Sequence, residues 1–410
     1  MVNIRPLPLL TPRPEFAKQV ASLPYDVMNR KEARAMAGDN RLCFLHVSRS
    51  DLSFSDEVSA YSEEVYQSAR SKFKSLVDEG VFAREDSPIF YLYRLSFNAR
   101  TQTGIVCGQH LDDLSTGKIR IHELTREEKE EDRTRHILTV GAQTGPVFLT
   151  FKHTEAVSRM ISETISETAP FIKFTADDGV THEIWKVLDT PSLQQSLSEI
   201  PCTYVADGHH RLASAERVRR RHKQQEGSSA VDPQRLDYVM AVLFPDTDLS
   251  IMPYNRVLKL DHTTPEQILA QLAEIGNLSK TTHKQPSVTG SVCVYCEGQW
   301  YDYRLPQPSA SAKFADRLDA SVLQTQIFEP LFDIKNPRTS NRVDFIGGIR
   351  GTAELERLVD SGDWGIAFSL YPVSIEDLMK VADAGEIMPP KSTWFEPKLR
   401  SGLFVNSFDS

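Results

Sequence analysis

The sequence has few of the features that place a protein outside the cell or in a membrane. It contains only five cysteines in 410 residues, too few and too scattered for the disulfide scaffold of a secreted domain. No stretch approaches the roughly 20 apolar residues of a membrane-spanning helix. The N-terminal residues are rich in proline and lack the apolar core of a signal peptide. We therefore expect a cytoplasmic protein with no membrane partner.

Positive charge is also scarce. The chain has 47 lysines and arginines against 56 aspartates and glutamates, which gives a formal net charge of -9. Nucleic-acid binding depends on clustered cations that displace counterions from phosphates. We therefore expect no nucleic-acid partner, although a local basic pocket is compatible with this charge.

The residues that are present alternate between helical and strand-like patterns. Predicted helices cover residues 29–37, 55–79, 122–136, 155–167, 192–199, 209–225, 265–275 and 374–384. Predicted strands cover residues 42–47, 89–95, 103–111, 147–151, 181–187, 203–206, 238–244 and 364–371. This mixture predicts an α/β or α+β fold in which mixed sheets are flanked by helices.

Domain boundaries are weakly marked. A cluster of Pro, Gln and Ser near residues 305–312 is the clearest break. We predict an N-terminal α/β region over residues 1–200, a core region over 201–305 and a C-terminal region over 306–410 that closes a pocket. Together the three regions are expected to form one composite unit.

The segment 204–211 (YVADGHHR) places several reactive side chains where a predicted strand ends and a helix begins. Gly208 permits a tight turn, and the N-terminus of a helix favours an anion. Asp207 offers a metal ligand or a base, and His209 offers a proton-transfer group. His210 and Arg211 offer contacts to phosphate. The alternative, an Asp N-cap followed by surface histidines, explains four such groups in five residues less well than an active site does.

A second charged segment, residues 122–136 (HELTREEKEEDRTRH), is predicted to be helical from Thr125, because Thr125 and Glu128 have capping-box spacing. The face predicted to be cationic contains Arg126, Lys129, Arg133 and His136. The acidic side chains fall mostly on the other face. This separation favours a stripe that binds polyphosphate over a solvent-exposed helix with local ion pairs, although the second alternative remains open.

Two further groups of residues are candidates. His122 and Glu123 precede the charged helix, and we assign a substrate contact to His122 and the role of general base to Glu123. In the segment 389–398 (PPKSTWFEPK), Lys391 is a candidate phosphate contact and Thr393 a candidate substrate contact. Alternatively, this proline- and aromatic-rich segment only anchors the end of the chain.

Several motifs in a fixed order resemble a family long known only as a domain of unknown function, which includes pyrophosphate-dependent serine kinases. The motifs are LPYDV at 23–27, HELTR at 122–126 with RTRH at 133–136, TGP at 144–146, ADGHHR at 206–211 and MPPKSTWF at 388–395. The resemblance covers nearly the whole chain. The Asp-Gly-His segment is also similar to the phosphate-binding motif of the ParB and sulfiredoxin-like superfamily, which implies a core of that type.

The resemblance implies transfer of a phosphoryl group to the hydroxyl of free L-serine, giving O-phosphoserine. It assigns Asp207, His209, His210 and Arg211 to the donor-phosphate and metal region, with Mg²⁺ as the expected cofactor and Asp207 as its ligand. Asp26, in the LPYDV motif, is a further candidate substrate contact. The expected partners are small molecules, namely serine and either pyrophosphate or a nucleotide, and the sequence leaves a homo-oligomer open.

Three alternatives remain at this stage. The chain could be an ATP- or ADP-dependent serine kinase, although the lack of a Walker motif favours pyrophosphate as the donor. It could be a non-catalytic, nucleotide-binding regulatory protein of the ParB type. A metal-dependent phosphohydrolase would use the same residues to position water in place of serine.

Overall fold

The chain forms two compact units in the computed structural model, which describes residues 1–224, 233–261 and 263–408. The first unit contains residues 1–120, 125–249 and 397–410, and the second contains residues 121–124 and 250–396. The chain therefore leaves the first unit after residue 249 and returns to it at Pro397. The boundary predicted after residue 200 lies inside the first unit, and that predicted after residue 305 lies inside the second.

The first unit is built around a nine-stranded mixed sheet. The strands follow in the order Ile119–Arg120, Thr203–Asp207, Val147–Phe151, Tyr238–Pro245, Arg100–His110, Tyr91–Phe97, Thr181–Lys186 and Ile172–Thr175, and Ile4–Arg5 also pairs with Arg100–His110. Val147–Phe151 pairs in parallel with Tyr238–Pro245 and antiparallel with Thr203–Asp207. Every residue of Val147–Phe151 is buried, as expected of a strand that is covered on both faces.

Helices and short strands surround this sheet. The helices are Ala17–Val20, Arg30–Ala37, Leu45–Ser48, Glu63–Asp78, Asp112–Ser115, Glu127–Val140, Glu155–Glu167, Thr190–Ser198, His209–Gln224 and Pro233–Leu236, with 3-10 turns at Pro14–Phe16, Ser50–Ser53 and Asp246–Asp248. The short strands pair Leu10–Pro12 with Phe82–Arg84, and Ala142–Gln143 with Asn406–Ser407. The last residue of the predicted helix 209–225 lies outside the described residues.

The second unit contains a six-stranded antiparallel sheet. Its strand order is Asn277–Thr281, Gln299–Arg304, Ser291–Cys296, Ile366–Leu370, Tyr254–Leu258 and Val343–Gly347, and a separate pair joins Ile251–Met252 to Trp394–Phe395. The helical segments are Pro265–Ile275, Ala315–Arg317, Asp319–Leu323, Gln324–Phe328, Glu329–Phe332, Gly348–Arg350, Gly351–Asp360 and Ile375–Asp383. The predicted mixed α/β architecture, with flanking helices, is confirmed.

The strand predicted over residues 42–47 is wrong, because Leu45–Ser48 form a short helix. Phe44 and Val47 belong to one hydrophobic cluster of the first unit, and Leu45 belongs to another. The run is therefore buried on more than one side. A short apolar run of this kind lacks the periodicity that distinguishes a strand from a helix.

The helix predicted over residues 55–79 begins later, at Glu63. The Arg30 guanidinium donates hydrogen bonds to the carbonyl oxygens of Ser55 and Val58, at 2.8 and 2.9 Å. Arg30 therefore satisfies carbonyl oxygens of a segment that forms turns and not a continuous helix, although the Ser55 carbonyl also accepts the amide of Val58 at 3.1 Å. The predicted end is correct, because Gly80 follows the helix with a φ of +72°.

None of the described helices is long and apolar enough to cross a membrane.

A buried polar network joins the C-terminal segment to the sheet of the first unit. His182, which is fully buried, has its Nδ1 2.8 Å from the Tyr93 hydroxyl and its Nε2 3.2 Å from Nε of Arg400. Arg400 also forms an ion pair with Asp178. Because the arginine Nε–H can only donate, Nε2 of His182 accepts and the ring is neutral. Burial and the neighbouring Arg400 lower the pKa of His182 to about 3.

We predict that His182 makes the stability of the protein depend on pH. In the unfolded chain, His182 takes up a proton near its ordinary pKa of 6.5, whereas the folded protein resists protonation down to about pH 3. The unfolded state therefore binds more protons within this window. The free energy of unfolding should fall as the pH decreases through it, by up to about 1.4 kcal/mol for each pH unit.

Urea unfolding at several pH values measures this effect. The His182→Gln variant should lose this contribution to the pH dependence, and the His283→Gln variant is the matched control, because the His283 side chain is 77% exposed. A His182→Gln variant whose stability keeps the wild-type dependence on pH would show that another group is responsible.

Candidate functional site: an arginine-lined pocket in the first unit

The strand Thr203–Asp207 connects to the helix His209–Gln224 through a single residue, Gly208. Gly208 has a φ of +94°, a conformation that favours glycine. Its backbone N–H donates to Oδ1 of Asp207 at 2.9 Å. The register with the neighbouring strand shifts between Val205 and Asp207, and such a bulge redirects the side chain that follows it. The predicted strand–turn–helix arrangement is confirmed.

The Arg211 side chain folds back over this turn. Its Nη1 donates to the carbonyl oxygen of Pro146, and its Nη2 lies 3.5 Å from Oδ2 of Asp207. A Cβ atom at Gly208 would lie 3.0 to 3.2 Å from three atoms of the guanidinium, so a side chain at this position would push the guanidinium away from the turn. The Nε atom of Arg211 is buried and has no hydrogen-bond partner among the described residues. That N–H is therefore a buried donor whose hydrogen-bonding capacity is unused.

Arg211 and Arg133 line the same pocket, which belongs entirely to the first unit. Its other polar side chains are those of Tyr25, Ser48, His136, Gln143, Thr144 and Ser401. Among the described residues that line the pocket there is no carboxylate. The pocket is therefore suited to an anion.

Arg133 reaches this pocket from the helix Glu127–Val140. Its Nε donates to Asp132 at 2.9 Å, and its Nη1 donates to the carbonyl oxygen of Ser48 at 3.3 Å. The guanidinium carbon also lies 4.2 Å from the centre of the Tyr25 ring. These contacts hold the guanidinium in one orientation, while Asp132 offsets part of its charge.

The structure places Tyr25, the neighbour of the predicted Asp26, in the pocket wall. Arg49 holds this loop by donating a hydrogen bond to the carbonyl oxygen of Tyr25 at 3.0 Å, and it also binds Asp51 with two hydrogen bonds. Burial and the nearby Asp26 raise the pKa of Tyr25 well above its usual range. Its hydroxyl is therefore protonated at neutral pH and can donate to an anion. Asp26 itself is exposed.

His136 lines the pocket as a neutral ring. Burial and the Arg133 guanidinium lower the pKa of His136 to about 4. Its Nε2 lies 2.9 Å from the carbonyl oxygen of Val47, so Nε2 carries the proton and Nδ1 can only accept. The expected positive charge at this position is therefore absent at neutral pH.

The predicted start of the charged helix is wrong. The helix begins at Glu127, and Arg126 occupies the N-cap position without a side-chain hydrogen bond. The expected capping box between Thr125 and Glu128 is replaced by a hydrogen bond from Thr125 to Glu130. The Thr125 hydroxyl therefore donates to a side chain in the first turns of the helix, and it does not cap a backbone amide at the helix start.

The four residues of the predicted cationic stripe do not all line the same pocket. Lys129 donates to the hydroxyl of Tyr61 at 2.6 Å. Arg126 is exposed, and its backbone N–H donates to Nε2 of His210 at 3.1 Å. The stripe residues that line the pocket are Arg133 and His136.

The acidic face of the same helix packs against the helix His209–Gln224. Glu130 lies 2.7 Å from Arg217, and Glu131 lies 2.6 Å from Arg221. The separation of charges in the sequence therefore reflects ion pairs between two helices. Neither interpretation of the sequence, a stripe that binds polyphosphate or a solvent-exposed helix with local ion pairs, anticipated these contacts.

Lys398 is a residue of this region that the sequence-based list of site residues omits. Its side chain is only 8% exposed, and its Nζ lies 3.4 Å from Oδ2 of Asp207. Oδ2 therefore lies between two cations, Lys398 and Arg211. A buried ammonium requires a nearby anion. The Pro-Lys pair that ends the segment 389–398 gave no signal of this burial, because Lys is usually exposed.

Four of the predicted residues, His122, Glu123, Lys391 and Thr393, belong to the second unit. There the structure brings two of the predicted segments together: the Thr393 hydroxyl lies 3.4 Å from Nε2 of His122, and the amide of Met388 donates to the carbonyl oxygen of His122 at 2.8 Å. Lys391 lies 5.7 Å from the centre of the Tyr254 ring. The predicted residues are thus divided between the two units.

We predict that Gly208→Ala destabilises the protein more than the backbone conformation alone explains. The substitution forces a non-glycine residue into a left-handed conformation and also displaces the buried Arg211 from Asp207. The expected loss is about 2–3 kcal/mol, of which about 1 kcal/mol comes from the backbone.

Gly80→Ala is the matched control in urea unfolding. Gly80 has a φ of +72°, and a Cβ atom there would meet nothing within 4 Å. This variant should therefore lose only the backbone contribution. Equal losses in the two variants would mean that the position of Arg211 does not depend on glycine at residue 208.

The comparisons with solved structures give only weak likenesses. A free serine kinase in complex with AMP is 12% identical over 71% of this chain and 86% of that chain, with a TM-score of 0.37. SbnI with a C-terminal truncation, from Staphylococcus aureus, is 14% identical over 71% of this chain and 82% of that chain, with a TM-score of 0.38. A conserved hypothetical protein from Pyrococcus furiosus is 13% identical over 73% of this chain and 93% of that chain, with a TM-score of 0.36.

Sequence comparison is more decisive about the family. Among curated proteins, none matches the chain. One family model, described as a protein of unknown function (DUF1015), matches residues 4–321, a span that includes four of the motif segments named above. The chain therefore belongs to the DUF1015 family.

Proposed function

We propose that this protein is a small-molecule phosphotransferase that transfers a phosphoryl group from pyrophosphate to the hydroxyl of free L-serine. The observation that carries the proposal is the presence of Arg133 and Arg211 in one pocket of the first unit. In the reaction, a P–O bond of pyrophosphate breaks and a P–O bond to the serine oxygen forms. Orthophosphate leaves, and the hydroxyl proton passes to a carboxylate.

The charges and donors of the pocket support a phosphate ligand. Two guanidinium groups supply positive charge, and Nε of Arg211 has no partner among the described residues. Tyr25 supplies a hydroxyl that is protonated at neutral pH, as it is in any tyrosine, and burial raises its pKa further. Nε and Nη2 of Arg133 already contact Asp132, so Arg133 would bind phosphate through its remaining N–H groups. Guanidinium groups carry several such donors, so two of them suit a ligand with several phosphate oxygens.

Phosphoryl transfer is the reaction that such a pocket favours. Its catalysis depends mainly on positioning the donor and on stabilising charge on the phosphoryl oxygens. Arg133 and Arg211 are held by protein contacts before a ligand arrives. Their orientation therefore costs little reorganisation when charge develops in the transition state.

Asp207 is not suited to hold a resident Mg²⁺ ion. Its Oδ2 already lies 3.4 Å from Lys398 and 3.5 Å from Arg211, and its Oδ1 accepts the Gly208 amide. Mg²⁺ commonly binds through substrate phosphates and retains several waters. We therefore propose that Mg²⁺ enters as a complex with pyrophosphate, and that Asp207 acts mainly by orienting Lys398 and Arg211.

The wall of the pocket supports pyrophosphate over a nucleotide as the donor. Tyr25 is the only aromatic ring among the described lining residues apart from the His136 imidazole. One face of the Tyr25 ring is already covered by the Arg133 guanidinium, at 4.2 Å. That face is not available to stack on an adenine ring, whereas pyrophosphate has no base to accommodate.

The assignment of serine as the acceptor rests on the motif resemblance. The sequence-based candidates for contacts to serine are Asp26, His122 and Thr393, and those for proton transfer are Glu123, Asp207 and His209. Asp207 is poorly placed to act as a base, because its Oδ2 already faces Lys398 and Arg211 and its Oδ1 accepts the Gly208 amide. We therefore propose Glu123 as the group that accepts the serine proton.

The direct test is to incubate the pure protein with L-serine, Mg²⁺ and one of pyrophosphate, ATP or ADP, and to follow phosphoserine by ³¹P NMR. We expect phosphoserine with pyrophosphate. Formation with a nucleotide alone would retain the kinase and change the donor. Phosphate release that does not need serine would identify a phosphohydrolase, and ligand binding without turnover would indicate a regulatory protein.

Substitutions test the assigned residues. Arg133→Lys and Arg211→Lys should each lower kcat/KM by about tenfold to a hundredfold, because lysine cannot form paired hydrogen bonds to phosphate. Glu123→Gln should lower kcat by about a hundredfold if Glu123 accepts the proton. Wild-type rates in any of these variants would remove that residue from the site.

Arg135→Lys is the matched control. Arg135 lies on the same helix as Arg133, but it binds Glu63 at 3.1 Å and the carbonyl oxygen of Tyr61 at 3.1 Å. It is not among the described residues that line the pocket. Its replacement should leave kcat/KM within about twofold of the wild-type value.

A further inference from the structure

The second unit contains a separate cavity with a volume of about 180 Å³. Tyr254 and Arg256, from one strand of the six-stranded sheet, form part of its wall, together with Leu370 at the end of the neighbouring strand. Asp319 and Asp377 line the cavity from the first turns of two helices. None of the residues assigned to phosphoryl transfer is among the described residues of this wall.

Arg256 brings an uncompensated positive charge to the cavity. The residue is only 4% exposed, and its guanidinium binds backbone carbonyl oxygens, including that of Lys391 at 3.0 Å. Its guanidinium carbon lies 4.5 Å from the centre of the Phe345 ring. Within the described part of the chain, no carboxylate lies within ion-pair distance of Arg256. Burial lowers the pKa of Arg256 to about 10, so the group remains charged at neutral pH.

Asp319 brings the opposite charge. Both of its carboxylate oxygens accept the amide of Gly290, at 2.8 and 3.0 Å, and no basic side chain of the described residues lies within ion-pair distance of it. Burial raises the pKa of Asp319 to about 6, with a further contribution from Asp377. Asp377 has only a distant partner, Lys380 at 3.8 Å. The cavity wall thus contains one buried cation without an anion and two carboxylates that lack a close cation. The other cation of the wall, Arg317, is exposed, and its guanidinium donates to the carbonyl oxygens of Ala312 and Ala310.

We propose that this cavity binds a small zwitterion of the α-amino-acid class, with its carboxylate at Arg256 and its ammonium group at Asp319 and Asp377. A ligand that carried only negative charge would leave the two carboxylates unpaired, and one that carried only positive charge would leave Arg256 unpaired. A zwitterion satisfies both groups, and a buried charge is far less costly when it is paired. This binding site goes beyond the proposed phosphoryl transfer and does not depend on it.

The apolar part of the wall indicates the type of side chain that the ligand carries. Phe314, Leu318, Leu370 and Val373 line the same cavity. These side chains offer no partner to a third charge, and burial of an unpaired charge is unfavourable. An amino acid with a neutral side chain therefore fits best.

The test is binding of the 20 common L-amino acids to the full chain without any phosphate donor, first by thermal shift and then by calorimetry. A ligand that binds only the folded state raises the unfolding temperature. We expect at least one amino acid with a neutral side chain to bind. Its decarboxylated amine and its deaminated carboxylic acid should each bind at least about tenfold more weakly. Comparable binding of either analogue would overturn the zwitterion assignment, and so would the absence of any amino-acid binding.

Variants locate the site. Asp319→Asn preserves the shape of the side chain and an oxygen for the Gly290 amide, and it should weaken binding at least about tenfold. Asp316→Asn is the matched control, because Asp316 is exposed and is not among the described lining residues. Arg211→Lys should leave this binding unchanged. If Asp319→Asn left the affinity at the wild-type value, the amino acid would bind elsewhere and the proposal would be wrong, whatever the effect of Arg211→Lys and whatever the outcome for phosphoryl transfer.

Discussion

The close contact between the Arg211 guanidinium and the backbone at Gly208 is the constraint on which the pocket of the first unit depends. One guanidinium binds the carbonyl oxygen of Pro146, faces the Asp207 carboxylate and presents an unpartnered N–H. It therefore joins the loop that contains Thr144 and Gly145 to the turn between strand and helix. Any side chain at residue 208 would press on it, which explains why the turn needs glycine for packing as well as for its dihedral angles.

Ion pairs between two helices of the first unit help to fix the position of the Arg211 guanidinium, although they do not touch it. Glu130 and Glu131 lie on one helix, and Arg217 and Arg221 lie on the other. Because the two helices are linked in this way, Arg133 on the first and Arg211 on the second keep a fixed spacing in the pocket wall. These ion pairs are partly exposed, so each contributes little stability by itself. Their effect is to align two guanidinium groups that have no direct contact in the described structure.

Local patterns in the sequence predicted most of the helices and strands, but they predicted few of the ion pairs and protonation states of the site. Helices 155–167 and 265–275 begin and end where apolar spacing and N-cap residues place them. The strand-to-helix turn at Gly208 was also readable, because glycine between an apolar strand and a helical pattern has a local cause. Prediction from the sequence failed where the charge or the partner of a residue depends on burial by segments that are distant in the chain. His136 is neutral because it is buried beside Arg133, and Lys398 is a partner of Asp207 because the chain returns to the first unit. Neither fact has a local signal.

The return of the chain has a consequence for the order in which the protein can fold during synthesis. Residues 397–410 belong to the first unit, and they supply Lys398, Arg400 and the strand Asn406–Ser407. Val405 also packs in a hydrophobic cluster with Leu10 near the start of the chain. A ribosome that has translated everything through residue 396 therefore still holds a first unit with unfilled positions in its core. Contacts so distant in sequence close slowly, and the second unit has all of its residues before the first unit is complete.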